Sequence, residues 1–545
     1  MDSTKKNRFF KLTLIIISVL FIIITLRVLV LSVFKKDDTK KYIDPVVASS
    51  VVRGNIVDTN DKILAIEVPY YSCSLRVDKI DNLEEIASIC APYLNMDIES
   101  IIEKASNYKY QALIKKKIDY DVLEDFTNEV KSLNLQNIIK IEKKTGREYI
   151  QSFHASQTIG FVGDDNKGLE GIEYTLDEYL SPPPELNKET TYGDTVKLTL
   201  DMNIQYLLDL EVQKINANFD PESIVAIILD AKNADILAMT SYPWYDLNDI
   251  SSSTSDERQN KAISMLYEPG SVFKIFSLPL LMDLGQADFD SPFICDGSFV
   301  FNNNSEPITI NCTHVHGEVN PEKMLAVSCN GAISSWALQS NSADYFEKLN
   351  ELGFNSKIEL PLNGVSRSRI SDPSLWSIRS KPTISFGQEL NTTAINLVTA
   401  ATAITNDGTI LKPHIIKSIT DSDGNIIKER SIERGNTLFT HDIAQTVLEG
   451  MEDATQEGGT AIYAAVDGLR VGAKTGTAQI YNPETKSYDN GGVLASTLAI
   501  APIENPKYII YFAAKAPTKG SIWGSNIAAP AISGILEGLL AQNKL

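Results

Sequence analysis

Positive charge is what this sequence lacks. Its 545 residues carry 50 Lys and Arg against 70 Asp and Glu, for a net charge of −20. The deficit is uneven: residues 1–41 hold nine Lys/Arg against three Asp, about +6, which leaves the remainder near −26. A body so acidic repels a polyphosphate backbone, which excludes nucleic acid as a partner. Long apolar runs are scarce too. One stands out, residues 12–34, interrupted only by Thr13, Ser18, Thr25, Arg27 and Ser32. At ~1.5 Å per residue it suffices for a bilayer core of ~30 Å. No Ala-x-Ala-like cleavage site follows, so the run reads as an uncleaved transmembrane anchor behind a basic cytoplasmic tail, residues 1–11, and not as a signal peptide. Arg27, near the far end, can snorkel to the interface. Charge does not orient the anchor, because Lys5, Lys6, Arg8 and Lys11 are balanced by Lys35, Lys36, Lys40 and Lys41 on the other side.

Residues 42–185 lack any nucleophile–base constellation and read as a spacer or docking domain, an N-terminal pedestal. Val51–Asp58 is expected to be a strand running into the turn Thr59-Asn60-Asp61, and Gly168–Leu180 a loop entering a helix. Ser181-Pro182-Pro183-Pro184 ends that helix and marks a boundary. The texture changes in 190–545. Val196–Leu200 alternates as a strand; Ser223–Leu229 is a continuous apolar run, turned by Ala231–Ala234 into Ile236–Met239. Val493–Ala501 and Tyr508–Ala514 form a second strand pair, and an apolar helix near Ile527–Leu540 closes the chain. Strands from both ends enclosing a helical middle predict an α+β domain with one sheet.

Within that middle, Glu268-Pro269-Gly270-Ser271-Val272-Phe273-Lys274 places a serine on the first turn of a helix with a lysine on the same face. A lysine made neutral by burial and a neighbouring cation can take the serine proton, and the free N–H groups of a helix start suit an oxyanion. The pattern alone is weak: Ser106-Lys109, Ser132-x-Asn134 and Lys144-Thr145-Gly146 form a decoy set packed into about 40 residues, too few to wall a cleft. In the set Ser271-Lys274, Ser328-Cys329-Asn330 and Lys474-Thr475-Gly476-Thr477, the intervals are 57 and 146 residues. Those leave room for a helical region and then a sheet.

These three motifs, in this order and spacing, resemble the penicillin-binding protein and serine β-lactamase superfamily. Arg53-Gly54…Asp58, Gly168…Gly171-Ile172-Glu173-Tyr174, Leu198-Thr199-Leu200-Asp201, Tyr267–Ser271, His316-Gly317, Gly387-Gln388, Gly458-Gly459-Thr460 and Ala528-Ala529-Pro530 narrow the likeness to the class B, monofunctional transpeptidases. The resemblance implies a single transmembrane helix, an elongated α/β pedestal and a transpeptidase domain with an antiparallel sheet flanked by helices and an all-helical subdomain. It implies acyl transfer on the D-Ala-D-Ala end of peptidoglycan stem peptides, with β-lactams as inhibitors. Ser271 would be the nucleophile and Lys274 its base. Ser328 would relay a proton to the leaving amine while Asn330 holds the substrate backbone. Lys474 would raise the local potential, Thr475 and Thr477 would bind the terminal carboxylate beside Gly476, and the N–H groups of Ser271 and Thr477 would form the oxyanion hole. Such a substrate exists only outside the membrane, so the chain would be single-pass, N-terminus cytoplasmic and body extracytoplasmic. A membrane-embedded glycan polymerase and other wall-synthesis proteins would be its partners.

Departures concern the groove. Leu360-Pro361-Leu362-Asn363 stands where a Leu-Pro-Gly-Glu-like turn is usual, Gln388-Glu389-Leu390 lacks the usual second glycine, and Pro279 lies inside the helix after Ser271. A hydrolase of the same superfamily would need an activated water, for which no local motif supplies a carboxylate. A β-lactam sensor would need a signalling module beyond the short basic tail. A non-catalytic scaffold would tolerate loss of Ser271 or Lys474, and both are present.

Only five cysteines and five histidines occur. Cys295, Cys312, His316 and Cys329 would make a tetrahedral Cys₃His structural zinc site, with His314 and Asp296 in reserve; a disulfide or free thiols are the alternatives. Some elongation-type relatives are similar, holding zinc through the central residue of the second motif and the His of His-Gly. Cys73, Cys90, His154, His414 and His441 have no partner that the sequence reveals and read as packed or solvated.

Overall fold

A computed structural model describes residues 17–27, 50–185, 188–303, 306–480, 488 and 492–545. The basic tail and most of the expected anchor lie outside these. Residues 17–27 are helical, with Ile17, Leu20 and Phe21 exposed. No described helix is long and apolar enough to cross a membrane. The chain divides into two units, Met1–Val51 with Pro183–Thr191, and Val52–Pro182 with Tyr192–Leu545.

The larger unit contains two sheets that matter for the site. The first, seven-stranded among the described residues, joins Ile56–Val57, Ile63–Leu75, Ala112–Lys115 and Ile139–Tyr149 to Thr195–Leu198, Ile416–Thr420 and Ile426–Glu429. Thr195–Leu198 runs parallel to Ile56–Val57, with Val196 opposite Ile56 and both fully buried. The strand expected over Val51–Asp58 is broken: it pairs at Ser50–Val52 and Ile56–Val57 but not between. Arg53 is the reason, because its guanidinium turns inward and its residue is only 1 % exposed. Nε donates to Glu173 Oε2 at 2.6 Å, Nη1 to Asp177 Oδ1 at 2.6 Å, and Nη2 to the Glu173 carbonyl at 2.7 Å. Arg147 Nε donates to the other Glu173 oxygen, at 2.6 Å. Gly168–Leu180 becomes two short helices, Gly171–Thr175 and Asp177–Leu180, that deliver these carboxylates. One buried carboxylate thus serves two buried arginines. Glu173→Ala leaves the buried Arg147 without its carboxylate and Arg53 with Asp177 alone, and is expected to cost about 3–5 kcal/mol in denaturant unfolding, the range for breaking a buried pair.

The second sheet is built from both ends of the catalytic region. Helix α1 is Met202–Phe219 and strands β1 and β2 are Ser223–Asp230 and Ile236–Tyr242; helices α2 and α3 are Lys274–Asp283 and Asn330–Gln339. Strands β3, β4 and β5 are Gly472–Gln479, Val493–Ala501 and Tyr508–Lys515, and helix α4 is Gly524–Ala541. Among the described residues the strand order is β3-β4-β5-β1-β2, antiparallel throughout. Period-two alternation sends Ile224, Ala226 and Ile228 to one face, against Leu208 and Val212 of α1 and Ile532 and Ile535 of α4. Val225, Ile227 and Leu229 face the other way, into the core that holds Phe273 and Phe276. Both faces are covered, so β1 is a continuous apolar run rather than an alternating one. The nucleophile's turn sits against β3, the sheet's edge.

Candidate active site

Ser271 lies in a 3-10 turn, Gly270–Phe273, that leads directly into α2, whose first residue is Lys274. The serine therefore precedes the regular helix by a tighter turn than its spacing predicts. Pro279 is accommodated inside α2. Lys474, Thr475, Gly476 and Thr477 are consecutive on β3. Gly476 has to be glycine: a Cβ there would stand 2.8 Å from Ser496 Oγ and 3.0 Å from the Pro269 carbonyl oxygen. Only a bare backbone lets the strand lie against the nucleophile's turn. Ser328 holds a left-handed conformation, φ +55°, and Asn330 begins α3. A serine at positive φ stores strain of the kind found at functional sites.

The structure brings Ser271, Lys274, Ser328, Asn330 and Lys474 together. Lys274 Nζ lies 3.2 Å from Ser271 Oγ, 2.9 Å from Ser328 Oγ, 2.7 Å from the Ser328 carbonyl and 2.6 Å from Asn330 Oδ1. Asn330 Nδ2 donates to the Asn311 carbonyl at 3.0 Å, which turns Oδ1 toward the lysine. Two of the four neighbours can only accept. A neutral amine spends its two N–H groups on them, and its lone pair is left for a hydroxyl. Lys474 Nζ reaches Ser328 Oγ from the other side at 3.0 Å. The Ser328 hydroxyl thus stands between two lysine nitrogens. Both lysines are fully buried. Desolvation lowers Lys274 to about 8, against a smaller upward pull from the Cys329 and Cys312 sulfurs. Lys474 is held well below the ordinary lysine range, by desolvation first and the Lys274 charge second.

A cavity of about 770 Å³ near Pro361 and Lys412 is remote from these groups, whereas one of about 940 Å³ opens onto them. It is lined by Ser271, Ser328, Asn330, Thr475 and Thr477, and also by His314, Gly459, Tyr463 and Trp523. Sequence reasoning missed Tyr463 and Trp523, which belong to no periodic pattern. A signal for the second lay in Trp523-Gly524 before the last helix: the Gly524 N–H donates to Thr477 Oγ1 at 3.1 Å.

The decoy motifs stay apart. Ser106 and Ser132 bond carbonyls of their own helices, Ile102 and Glu129, and Lys144 pairs with Glu142 on a strand.

Cys295, Cys312, His316 and Cys329 converge, with their ligand atoms all within 4.8 Å of one another. Cys312 and Cys329 Sγ are 3.8 Å apart, and Cys295 Sγ lies 3.4 Å from His316 Nδ1. A tetrahedral zinc with Zn–S of ~2.3 Å and Zn–N of ~2.0 Å needs about 3.8 Å between sulfurs and about 3.5 Å from sulfur to nitrogen. The four residues fit that ion. All five cysteines are free thiols. The Gly331 N–H donates to Cys312 Sγ at 3.2 Å and the Ala332 N–H to Cys329 Sγ at 3.5 Å, so the start of α3 favours negative sulfur. His314 lines the cavity instead, and Asp296 accepts from the Ser298 N–H. Elsewhere, Cys73 and Cys90 are buried in the 73–139 core, His154 pairs with Asp209 at 2.7 Å and His441 with Asp407 at 2.7 Å. His414 is half-buried.

Comparison with known proteins gives the following. Residues 224–537 match the sequence model of the penicillin binding protein transpeptidase domain, and residues 48–190 that of the penicillin-binding protein dimerisation domain. The "Probable peptidoglycan D,D-transpeptidase PenA" of Neisseria meningitidis is 26% identical over 521 residues, covering 90% of this chain and 84% of that protein. Stage V sporulation protein D of Bacillus subtilis is 26% identical over 517 residues, covering 90% and 78%. The peptidoglycan D,D-transpeptidase FtsI of Escherichia coli is 25% identical over 518 residues, covering 90% and 84%. In fold, the chain is similar to penicillin binding protein 3 of Mycobacterium tuberculosis complexed with aztreonam, with TM-score 0.72, 23% identity and coverage of 91% and 97%.

Proposed function

Because the chain belongs to the penicillin-binding protein transpeptidase family, we propose that its buried Ser-Lys-Ser-Asn-Lys constellation is the acyl-transfer centre of a peptidoglycan D,D-transpeptidase. It is a serine acyltransferase. The observation that carries the reading is the hydrogen-bond arithmetic at Lys274, whose two obligate acceptors take both N–H groups of a neutral amine and leave its lone pair to the hydroxyls of Ser271 and Ser328.

Lys274 takes the Ser271 proton as Oγ attacks the penultimate D-alanine carbonyl. The N–H groups of Ser271 and Thr477 receive the oxyanion, where one lost donor typically costs ~10²–10³ in rate. Ser328 Oγ, between Lys274 and Lys474, passes a proton to the departing D-alanine amine. Thr475 and Thr477 hold the terminal carboxylate, whose charge favours protonated Lys474 when substrate is bound. Attack on the acyl-enzyme by an amine of a neighbouring stem then makes the cross-link. A β-lactam presents the same carbonyl and carboxylate and stops at the acyl-enzyme. Cys295, Cys312, His316 and Cys329 would hold a structural zinc; with all four positions taken by protein ligands it would supply no reacting group, and Cys329, fixed as a ligand, would hold Ser328 and Asn330 on either side of it. A substrate found only outside the membrane sets the side: an anchor over residues 12–34 would tether the body there, beside a glycan polymerase that supplies the strands to be linked.

Intact-mass analysis of full-length protein in detergent, before and after benzylpenicillin with the adduct mapped by peptide, tests this. A stoichiometric adduct on Ser271, absent in Ser271→Ala, is the expected result. No adduct on folded, zinc-replete protein overturns the reading in favour of a scaffold.

A further inference from the structure

The turn that carries Ser271 rests on a second loop, residues 387–392. Tyr267 and Thr392 exchange backbone hydrogen bonds of 3.1 and 3.0 Å, and the Gly270 N–H donates to the Gly387 carbonyl at 3.1 Å. Gly387 has φ +86°, and a Cβ on it would lie 2.2 Å from the Gly270 carbonyl oxygen. The two loops touch backbone to backbone. Glu389, at the position where a second glycine is usual, adopts φ +59°. A side chain in that region is strained, so neighbouring contacts have to hold it. Two do so. The Glu389 N–H donates to Glu268 Oε1 at 2.9 Å, and Thr383 Oγ1 donates to Glu389 Oε1 at 2.5 Å. Glu268 is half-buried and three residues before the nucleophile. Its carboxyl also accepts from the Tyr488 hydroxyl at 3.0 and 3.1 Å.

We propose that Glu268 is a positioning residue for the transpeptidase reaction: by binding the Glu389 N–H it locks the 387–389 loop to the 268–271 turn and so fixes Ser271 Oγ relative to Lys274. Glu268 touches no reacting atom. It acts through Pro269 and Gly270, and the loop it captures carries the carbonyl that binds the Gly270 N–H. The inference rests on acylation at Ser271. Its requirement is an acceptor at Oε1, not a negative charge, and on the Glu389 side a backbone N–H at positive φ, not a carboxylate.

The test is stopped-flow acylation by a chromogenic β-lactam, with the first-order acylation constant separated from the dissociation constant. Glu268→Ala is expected to lower the acylation constant about 10–10²-fold, the scale of a sub-ångström to ångström misplacement, with the dissociation constant unchanged. Glu268→Gln keeps a carbonyl oxygen for the Glu389 N–H and is expected to acylate like wild type. Glu389→Gly keeps the N–H and the conformation and is expected to do the same. Should Glu268→Ala not fold, Glu268→Met, of similar length and without an oxygen acceptor, takes its place in the comparison. Wild-type rates in Glu268→Ala or Glu268→Met overturn the proposal. So does a Gln variant as slow as Ala, which would make charge the agent, or a Glu389→Gly variant as slow as Glu268→Ala. Adduct formation on Ser271 in the wild type separates the two readings, because its absence overturns the transpeptidase function and this inference with it.

Discussion

Replacing Lys274 by alanine is expected to slow acylation of Ser271 by penicillin about 10²–10⁴-fold, the usual contribution of a positioned base. The variant loses the only amine within reach of Ser271 Oγ among the described residues, and it also leaves Ser328 O and Asn330 Oδ1 without their donor. A pH profile distinguishes the two losses. The active form is the neutral amine, and desolvation has lowered Lys274 to about 8. The wild-type acylation constant should therefore rise about tenfold per pH unit below 8 and level off above it. The sign is fixed by the role: a lysine needed in its charged form would give the opposite limb. Residual acylation in Lys274→Ala should lose this limb, and a variant that keeps it would place the titrating group elsewhere.

Cys329→Ser is expected to have the second large effect. The wild type should carry one zinc per chain by elemental analysis, and the variant none. Binding to the folded state alone stabilises by about 4 kcal/mol at a thousandfold excess over Kd, so a drop of about 10 °C in Tm is expected on chelation or in the variant. Catalysis should fall with it, because Cys329 lies between Ser328 and Asn330 and its sulfur caps the start of α3 through the Ala332 N–H. A shift of about 1 Å in either flanking residue is enough for about 10²-fold. Metal-free wild-type protein that acylates and melts normally would sink the assignment. A disulfide between Cys312 and Cys329, seen as a two-dalton loss on peptide mapping, would replace it.

Much of this was legible because local chemistry dictated it. Ser271 and Lys274 share a turn, and Lys474 to Thr477 share a strand. The run Ser223–Leu229 announced a strand buried on both faces, and the same reasoning found the hairpin after it. Other features had no local signature. The strand expected through Arg53 failed because a buried arginine outweighs β propensity when two carboxylates lie 120 and 124 residues away. Trp523 and Tyr463 reach the cleft from loops, where no periodicity exists to be read.

By itself the sequence determined which groups could do chemistry: a serine with a lysine a turn away and two further motifs spaced widely enough to be separate walls, and three cysteines with two histidines between the last pair. Tertiary structure alone decided the protonation states and the alignment. Lys274 is lowered because the fold excludes water from it, and its nitrogen is set within reach of Ser271 by acceptors on Ser328 and Asn330, more than 50 residues away. Glu389 stands in a conformation its own side chain disfavours because Glu268, 121 residues earlier, holds its N–H. Desolvation and hydrogen-bond direction depend on what surrounds a group in space, and chain order does not encode that neighbourhood residue by residue.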